Sequence, residues 1–210
     1  MPGYFISFEG TEGCGKSTHI RKLTDRLEAD GHTVRAIREP GGTDSGEQIR
    51  SMLKHGPENL TPEAELLLMN ASRAQLVREI IRPALAAGEV VLCDRFFDST
   101  TIYQGAGRGL DTARVQAVID FAVGETRPDL TLLLEIPLEI SEKRRAKRSG
   151  SDRFESADRE FFKRIEAGYT ALAEAEPDRI QVIDANRPLE NVRADIISAV
   201  STALKNANSR

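Results

Sequence analysis

Cysteine and histidine are scarce in this chain, with two of the first and three of the second among 210 residues. Cys14 and Cys93 have neither the number for a disulfide framework nor a metal-ligand spacing, so a reducing cytoplasm is the expected compartment. His19, His32 and His55 show no ligand spacing and read as surface residues. No apolar run approaches the roughly 20 residues that a bilayer demands, and the chain opens on a strand-like run rather than a signal peptide, so no membrane partner is expected. A cationic excess is missing too: the formal charge is -4, against a general nucleic-acid binder, which would be basic. There is no internal repeat and no sign of a second domain. Apolar and charged fractions of 40% and 30% are ordinary, and the length suits one α/β domain over residues 1–210 with a substantial core.

What is present is concentrated near the start. Gly10-Thr11-Glu12-Gly13-Cys14-Gly15-Lys16-Ser17, followed by Thr18, fits a P-loop: two glycines around four residues, then Lys and Ser. Its context supports it. Tyr4-Phe5-Ile6-Ser7-Phe8 is β-prone, and Ile20, Leu23 and Leu27 follow at helical spacing, so strand, glycine loop and helix come in the order the motif requires. The glycines let successive N–H groups turn inward on an anion, and the helix adds its positive end. Lys16 then reaches the terminal phosphates of a nucleoside triphosphate, and the Ser17 hydroxyl ligates Mg2+. The plain alternative is a glycine turn that merely feeds a helix. Cys14 reads as a small residue tolerated beside phosphate.

Along the chain, helix and strand alternate. The first helix runs to about Asp30, with Gly31 as its stop. Strands are expected at 33–38, 89–93, 130–135 and 179–184. Helices are expected near 46–54, from a Thr61 cap through Pro62 to about Ala87 with a bend at Pro83, from an Asp111 cap to Val123, from Pro137 to about Arg148, and over 158–175. The last helix opens at Pro188, with Leu189, Val192, Ile196 and Val200 on one face and a frayed tail after Lys205. Residues 98–109 read as a polar, glycine-rich segment with one helical turn. The alternation implies a parallel sheet covered on both sides.

Chemistry gathers at the strand ends. Arg38 and Arg95 each follow a strand, where ligands meet an open α/β sheet, and two cations there suit a second anion opposite the triphosphate. A phosphate monoester carries about -1.5 to -2 charges at neutral pH, so as an acceptor it needs alignment and charge neutralisation more than a base. Asp94 ends an apolar strand, where a carboxylate can hold Mg2+ through water, or can simply pair with Arg95. Glu9 and Glu12 flank the loop and could meet a metal-linked water or a sugar hydroxyl. Lys143 to Arg148 with Arg153 form the densest basic run. A solvated helix face, a nucleic-acid patch and a mobile segment near 144–158 that closes over the transferring phosphate all fit such a run; the last suits this length and position best. No Asn-Lys-x-Asp sequence marks a GTPase.

The ordered set of P-loop, Arg38-Glu39-Pro40-Gly41-Gly42-Thr43, Arg73-Ala74-Gln75, Asp94-Arg95, Tyr103-Gln104-Gly105 and Arg127-Pro128-Asp129-Leu130 closely resembles bacterial thymidylate kinases over essentially the whole chain. The resemblance implies a P-loop NTPase-type fold of the nucleoside monophosphate kinase kind, with a five-stranded parallel sheet flanked by helices. It further implies ATP-dependent phosphorylation of dTMP to dTDP for dTTP synthesis, Mg2+, and a homodimer. It gives Glu12 the acceptor 3′-hydroxyl, Arg38 and Arg95 the acceptor phosphate, and Arg73 the thymine. Pro40, Ser99, Thr100 and Gln104 fall in the substrate-facing motifs, and Tyr103 crowds the 2′ position. Arg148 and Arg153 resemble lid arginines, and with no arginine between Gly10 and Gly15, Arg153 is the catalytic choice beside Lys16 and Arg95. Met69 stands where the family commonly stacks an aromatic on thymine, and Phe96 where Tyr or His is common. Glu39-Pro40 is a candidate cis peptide. Two other readings remain open here: a kinase for another nucleotide or a deoxynucleoside, and a non-catalytic nucleotide sensor.

Overall fold

The computed structural model describes residues 3–57, 59–146 and 158–208. Its sheet has five strands: β1 (Tyr4–Glu9), β2 (Val34–Arg38), β3 (Val90–Asp94), β4 (Leu130–Glu135) and β5 (Ile180–Asp184). They lie in the order β2-β3-β1-β4-β5, all neighbours parallel. Side-chain parity sorts the faces. Ile6 and Phe8 of β1, Val90 and Leu92 of β3, and Leu130, Leu132 and Leu134 of β4 share one buried cluster. Helices α1 (Lys16–Ala29) and α9 (Leu189–Asn208) cover it. Phe5, Val91 and Cys93 face the other way, beneath α3 (Pro62–Leu76) and α6 (Thr112–Val123). By the same parity Ser7 and Glu9 belong to the second face.

Local signals set many of the ends. Gly31, at φ +89, lets its own N–H reach Glu28 O and the His32 N–H reach Leu27 O, closing α1. Thr43, Thr61, Asp111 and Asp158 each accept a backbone N–H at the start of α2 (Asp44–His55), α3, α6 and α8 (Arg159–Ala175) respectively. Replacing Thr61 with Ala is expected to cost about 1 kcal/mol, read as a lowered chemical-denaturation midpoint with unchanged slope.

Several expectations change. The long helical region is divided before Pro83: Val77–Ile81 widen to π-helical spacing ahead of α4 (Arg82–Ala86), where Pro83 sits in the first turn. Residues 98–109 are more helical than their glycines suggest. They form α5 (Phe97–Thr100) and a second π-helical stretch, Thr101–Gly107, packed on α8. His19 is buried rather than superficial, because it lies beside the Ile20–Leu23 stripe that α9 covers. Burial holds its imidazole pKa below the ordinary value. Leu189 stays half exposed while Val192, Ile196 and Val200 are buried, and α9 continues to Asn208. Helix α7 (Leu138–Ala146) carries the first part of the basic run; Arg148 and Arg153 lie outside the described residues. Among the described residues no helix is long and apolar enough to cross a membrane.

Candidate active site

Because β1 and β3 are neighbours, with Phe8 opposite Asp94, the loop after β1 and the residues after β3 face each other at one end of the sheet. Gly10 begins the turn at φ +129, and a Cβ there would lie 2.3 Å from Leu134 O, so only glycine fits. Lys16 folds back over the loop: its Nζ donates to Gly10 O and Thr11 O, each at 3.1 Å. Ser17 Oγ donates to Asp94 Oδ2 at 2.7 Å, placing a hydroxyl and a carboxylate side by side at the start of α1. From α7, Ser141 Oγ donates to Glu12 O and Arg144 Nη1 to Gly13 O, bracing the loop from outside.

A cavity of about 270 Å³ opens beside this loop. Glu12, Gly13, Gly15, Lys16, Ser17, Thr18, Arg38, Pro40, Met69, Asp94, Arg95, Ser99 and Tyr103 all line it, so most of the residues chosen from sequence do converge. Glu39, Arg50 and Lys54 line it as well and were not among them. Arg38, half exposed, donates to Glu47 at 2.9 Å. Glu39-Pro40 is cis, and Arg50 donates to Pro40 O at 2.8 Å.

Arg95 is the most constrained group. It holds a left-handed backbone at φ 70, rare for a long side chain. Its Nη2 donates to Glu12 Oε1 at 2.6 Å and Tyr103 OH at 3.2 Å; its Nη1 donates to Ser99 Oγ at 2.9 Å and Tyr169 OH at 3.3 Å. Although burial works against the charge, the field of Tyr103, Glu12, Tyr169 and Glu9 holds Arg95 well above its ordinary pKa. It is a permanent cation.

Glu9, expected near a water or sugar, is instead buried and used by the protein. Its Oε1 accepts Phe96 N at 2.8 Å, and its Oε2 accepts Ser99 Oγ at 2.6 Å and Tyr169 OH at 2.9 Å. Burial and the neighbouring Asp98 push its carboxyl upward.

Arg73, Thr100 and Gln104 lie behind the wall rather than on it. The Arg73 guanidinium donates to Glu39 Oε2 from Nε at 2.8 Å, to Asn70 Oδ1 and Thr100 Oγ1 from Nη1, both at 2.9 Å, and to Phe96 O from Nη2 at 3.2 Å. Nη2 also lies 2.6 Å from Glu39. Four hydrogen bonds to protein acceptors and an ion pair thus occupy the guanidinium, so donation to a base competes with them. Gln104 Nε2 donates to Glu65 Oε1 at 2.7 Å. Sequence reasoning missed Glu39, Asn70 and Tyr169 as site-shaping residues. Glu39 stands in the Arg38-Glu39-Pro40 motif without a role, and Asn70 left a trace three places before Arg73 on one helical face.

Burial raises the Glu39 carboxyl to about 7, against the pull of Arg73. The folded chain thus holds this proton more tightly than the unfolded chain does. Between pH 4.5 and 7 stability must fall as pH rises, by up to about 1.4 kcal/mol per pH unit from this group. The melting temperature of Glu39→Gln should lack that component; identical pH slopes for the two proteins would refute the assignment.

Comparison with known proteins converges on one family. A family model described as thymidylate kinase matches residues 8–196. Thymidylate kinase of Methylococcus capsulatus is 49% identical over 203 residues, 97% of each chain. That of Alcanivorax borkumensis is 48% identical over 202 residues, 95% of this chain and 97% of the relative. The crystal structure of thymidylate kinase from Ehrlichia chaffeensis aligns with a TM-score of 0.78 at 30% identity, covering 95% of this chain and 99% of that one. With the P-loop, Arg38, Asp94 and Arg95 at one cleft and the family's sequence matched nearly end to end, this chain belongs to the thymidylate kinase family.

Proposed function

We propose that this protein transfers the terminal phosphoryl group of ATP to the phosphate of dTMP, giving dTDP for dTTP synthesis. The observation that carries this reading is Arg95: a permanent cation held at the end of β3, on the wall of the cavity that also contains Lys16. One cation faces the donor and the other the acceptor. The acceptor oxygen is already anionic, so the site supplies alignment and charge rather than a base. The P-loop amides and Lys16 hold the donor phosphates, Lys16 exchanging its carbonyl partners for phosphate oxygens. Arg95 and Arg38 hold the acceptor phosphate, Glu12 the 3′-hydroxyl, and Tyr103 crowds C2′.

Ser17 and Asp94 fit Mg2+: a hydroxyl and a carboxylate already in contact are hard oxygen donors. An ion that keeps waters and phosphate oxygens needs only one or two protein ligands. The described residues offer no larger cluster of His, Cys, Asp and Glu that could hold a metal. When bound, the ion neutralises charge on the donor phosphates. The donor side otherwise lacks an arginine in the loop itself, and Arg153 is assigned to supply that charge. Arg153→Ala is expected to lower kcat while leaving ATP affinity intact, as single-turnover rates and equilibrium binding would separately show.

The decisive assay offers dTMP, dUMP, dCMP, dGMP and thymidine with ATP and Mg2+ and follows ADP. Preference for dTMP is the expected result. Preference for another monophosphate would move the specificity, turnover of thymidine alone would remove the roles of Arg38 and Arg95, and no turnover would favour a sensor. Two buried free thiols, Cys14 and Cys93, support a cytoplasmic setting. A homodimer is part of this reading, supported by large apolar side chains left in solvent on two helices in contact, Leu67 of α3 and Phe121 of α6.

A further inference from the structure

Arg95 and Glu9 lie close without being directly bonded. The shortest separation is 3.9 Å, beyond a hydrogen bond, although one is a permanent cation, 12% exposed, and the other is buried. Two hydroxyls occupy the space between them. Ser99 Oγ accepts from Arg95 Nη1 and donates to Glu9 Oε2. Tyr169 OH does the same, accepting at 3.3 Å and donating at 2.9 Å. Only a group that is donor and acceptor at once can serve there. Burial keeps the Tyr169 phenol protonated well past its ordinary range, so the donor half of that role persists at neutral pH.

Ser99 comes from the same short stretch as Arg95. Tyr169 comes from α8, 74 residues further on, with its ring in the cluster formed by Phe161, Phe162 and Ile165. Its position is therefore fixed by packing that is independent of Arg95. From there its oxygen stands between a carboxylate and a guanidinium that would otherwise close into an ion pair.

We propose that Tyr169 is a positioning residue for the acceptor phosphate: its hydroxyl is a spacer that keeps Arg95 from pairing with Glu9 and leaves the guanidinium edge turned to the cleft. This rests on the function proposed above, in which Arg95 binds that phosphate. Without the spacer only Ser99 Oγ stands between Arg95 and Glu9, so Arg95 Nη1 draws toward Glu9 and the guanidinium edge tilts out of the cleft, while Nη2 keeps Glu12 and Tyr103. ATP contacts, made on the other side of the loop, are untouched. Contacts to the nucleoside part of the acceptor are also unchanged, because Glu12, Tyr103 and Met69 keep their places.

The test compares Tyr169→Phe in the wild-type and Arg95→Lys backgrounds, measuring rates with dTMP and ATP, equilibrium binding of thymidine, and thermal melting. The phenylalanine keeps the ring and removes one oxygen. In the wild-type background it should raise KM for dTMP about tenfold, the scale of a hydrogen bond to a charged group. KM for ATP and the Kd for thymidine should stay within about twofold, since neither touches Arg95. In the Arg95→Lys background the same substitution should add little, because a residue that acts through another loses its effect when the other is changed. Equal losses for dTMP and thymidine, a full additive loss in the Arg95→Lys background, unchanged kinetics, or collapse of the fold would each overturn the proposal. Failure of the underlying reading looks different: wild-type enzyme would then show no preference for dTMP, or Arg95→Lys alone would leave dTMP use intact.

Discussion

Arg95→Ala should lower kcat/KM for dTMP by about 10²- to 10³-fold, the range seen when one pre-oriented charge-stabilising donor is removed. Binding of an ATP analogue should be nearly unchanged. The loss is double. The acceptor phosphate loses its cation, and Glu12 and Glu9 lose the guanidinium that stands between them, a broken partly buried pair that costs about 3 kcal/mol or more. A protein of this size would melt roughly 6–12 °C lower as a result. Arg38→Ala is the internal control. Arg38 is half exposed and paired with Glu47, so its effect should be confined to dTMP kinetics with little change in melting. If Arg95→Ala leaves dTMP kinetics unchanged, the acceptor site is elsewhere.

The second large effect belongs to Arg73. It is 1% exposed and hydrogen-bonded to Glu39, Asn70, Thr100 and Phe96 O, so Arg73→Met strands Glu39, Asn70 and Thr100 together. The expected destabilisation is about 3–5 kcal/mol. Its pH dependence carries the diagnosis. Without the guanidinium the already raised Glu39 carboxyl rises further. At pH 8 it therefore costs the folded variant more to keep or give up a proton that the unfolded chain has already released, while at pH 6 both proteins hold it. The deficit should therefore be larger at pH 8. Adding Glu39→Gln should recover much of it, because replacing both members of a buried pair is far milder than breaking one. Recovery of stability without recovery of thymine selectivity would show that Arg73 also reads the base; recovery of both would leave it as scaffolding alone.

Local chemistry made much of this legible. The P-loop announces itself because its function is carried by consecutive backbone amides, which a short pattern can specify. Thr61, Asp111 and Asp158 mark helix starts because a cap acts within three residues. What escaped depends on partners far away in sequence. His19 looks superficial until α9 is laid over α1. The stretch from Thr101 to Gly107 looks like a loop until α8 packs against it and makes helical hydrogen bonding worthwhile. Arg73 was chosen for its motif, yet the motif cannot tell a side chain on the cavity wall from one directly behind it. Glu9 was placed beside the loop correctly and given the wrong company, since strand parity turns it inward, under Phe96 and Ser99.

The strand order has a consequence for how the protein comes into being. β3 lies between β1 and β2, yet is made after both. A chain synthesised only as far as Gly88 holds two strands that cannot pair as they will in the finished sheet, since a strand's width, roughly 10 Å between their final positions, must be left for β3. Asp94 and Arg95, which complete both halves of the cleft, arrive on that same inserted strand. Until it is in place the nascent protein has a phosphate loop and Arg38 but neither Asp94 nor Arg95 to complete the cleft between them.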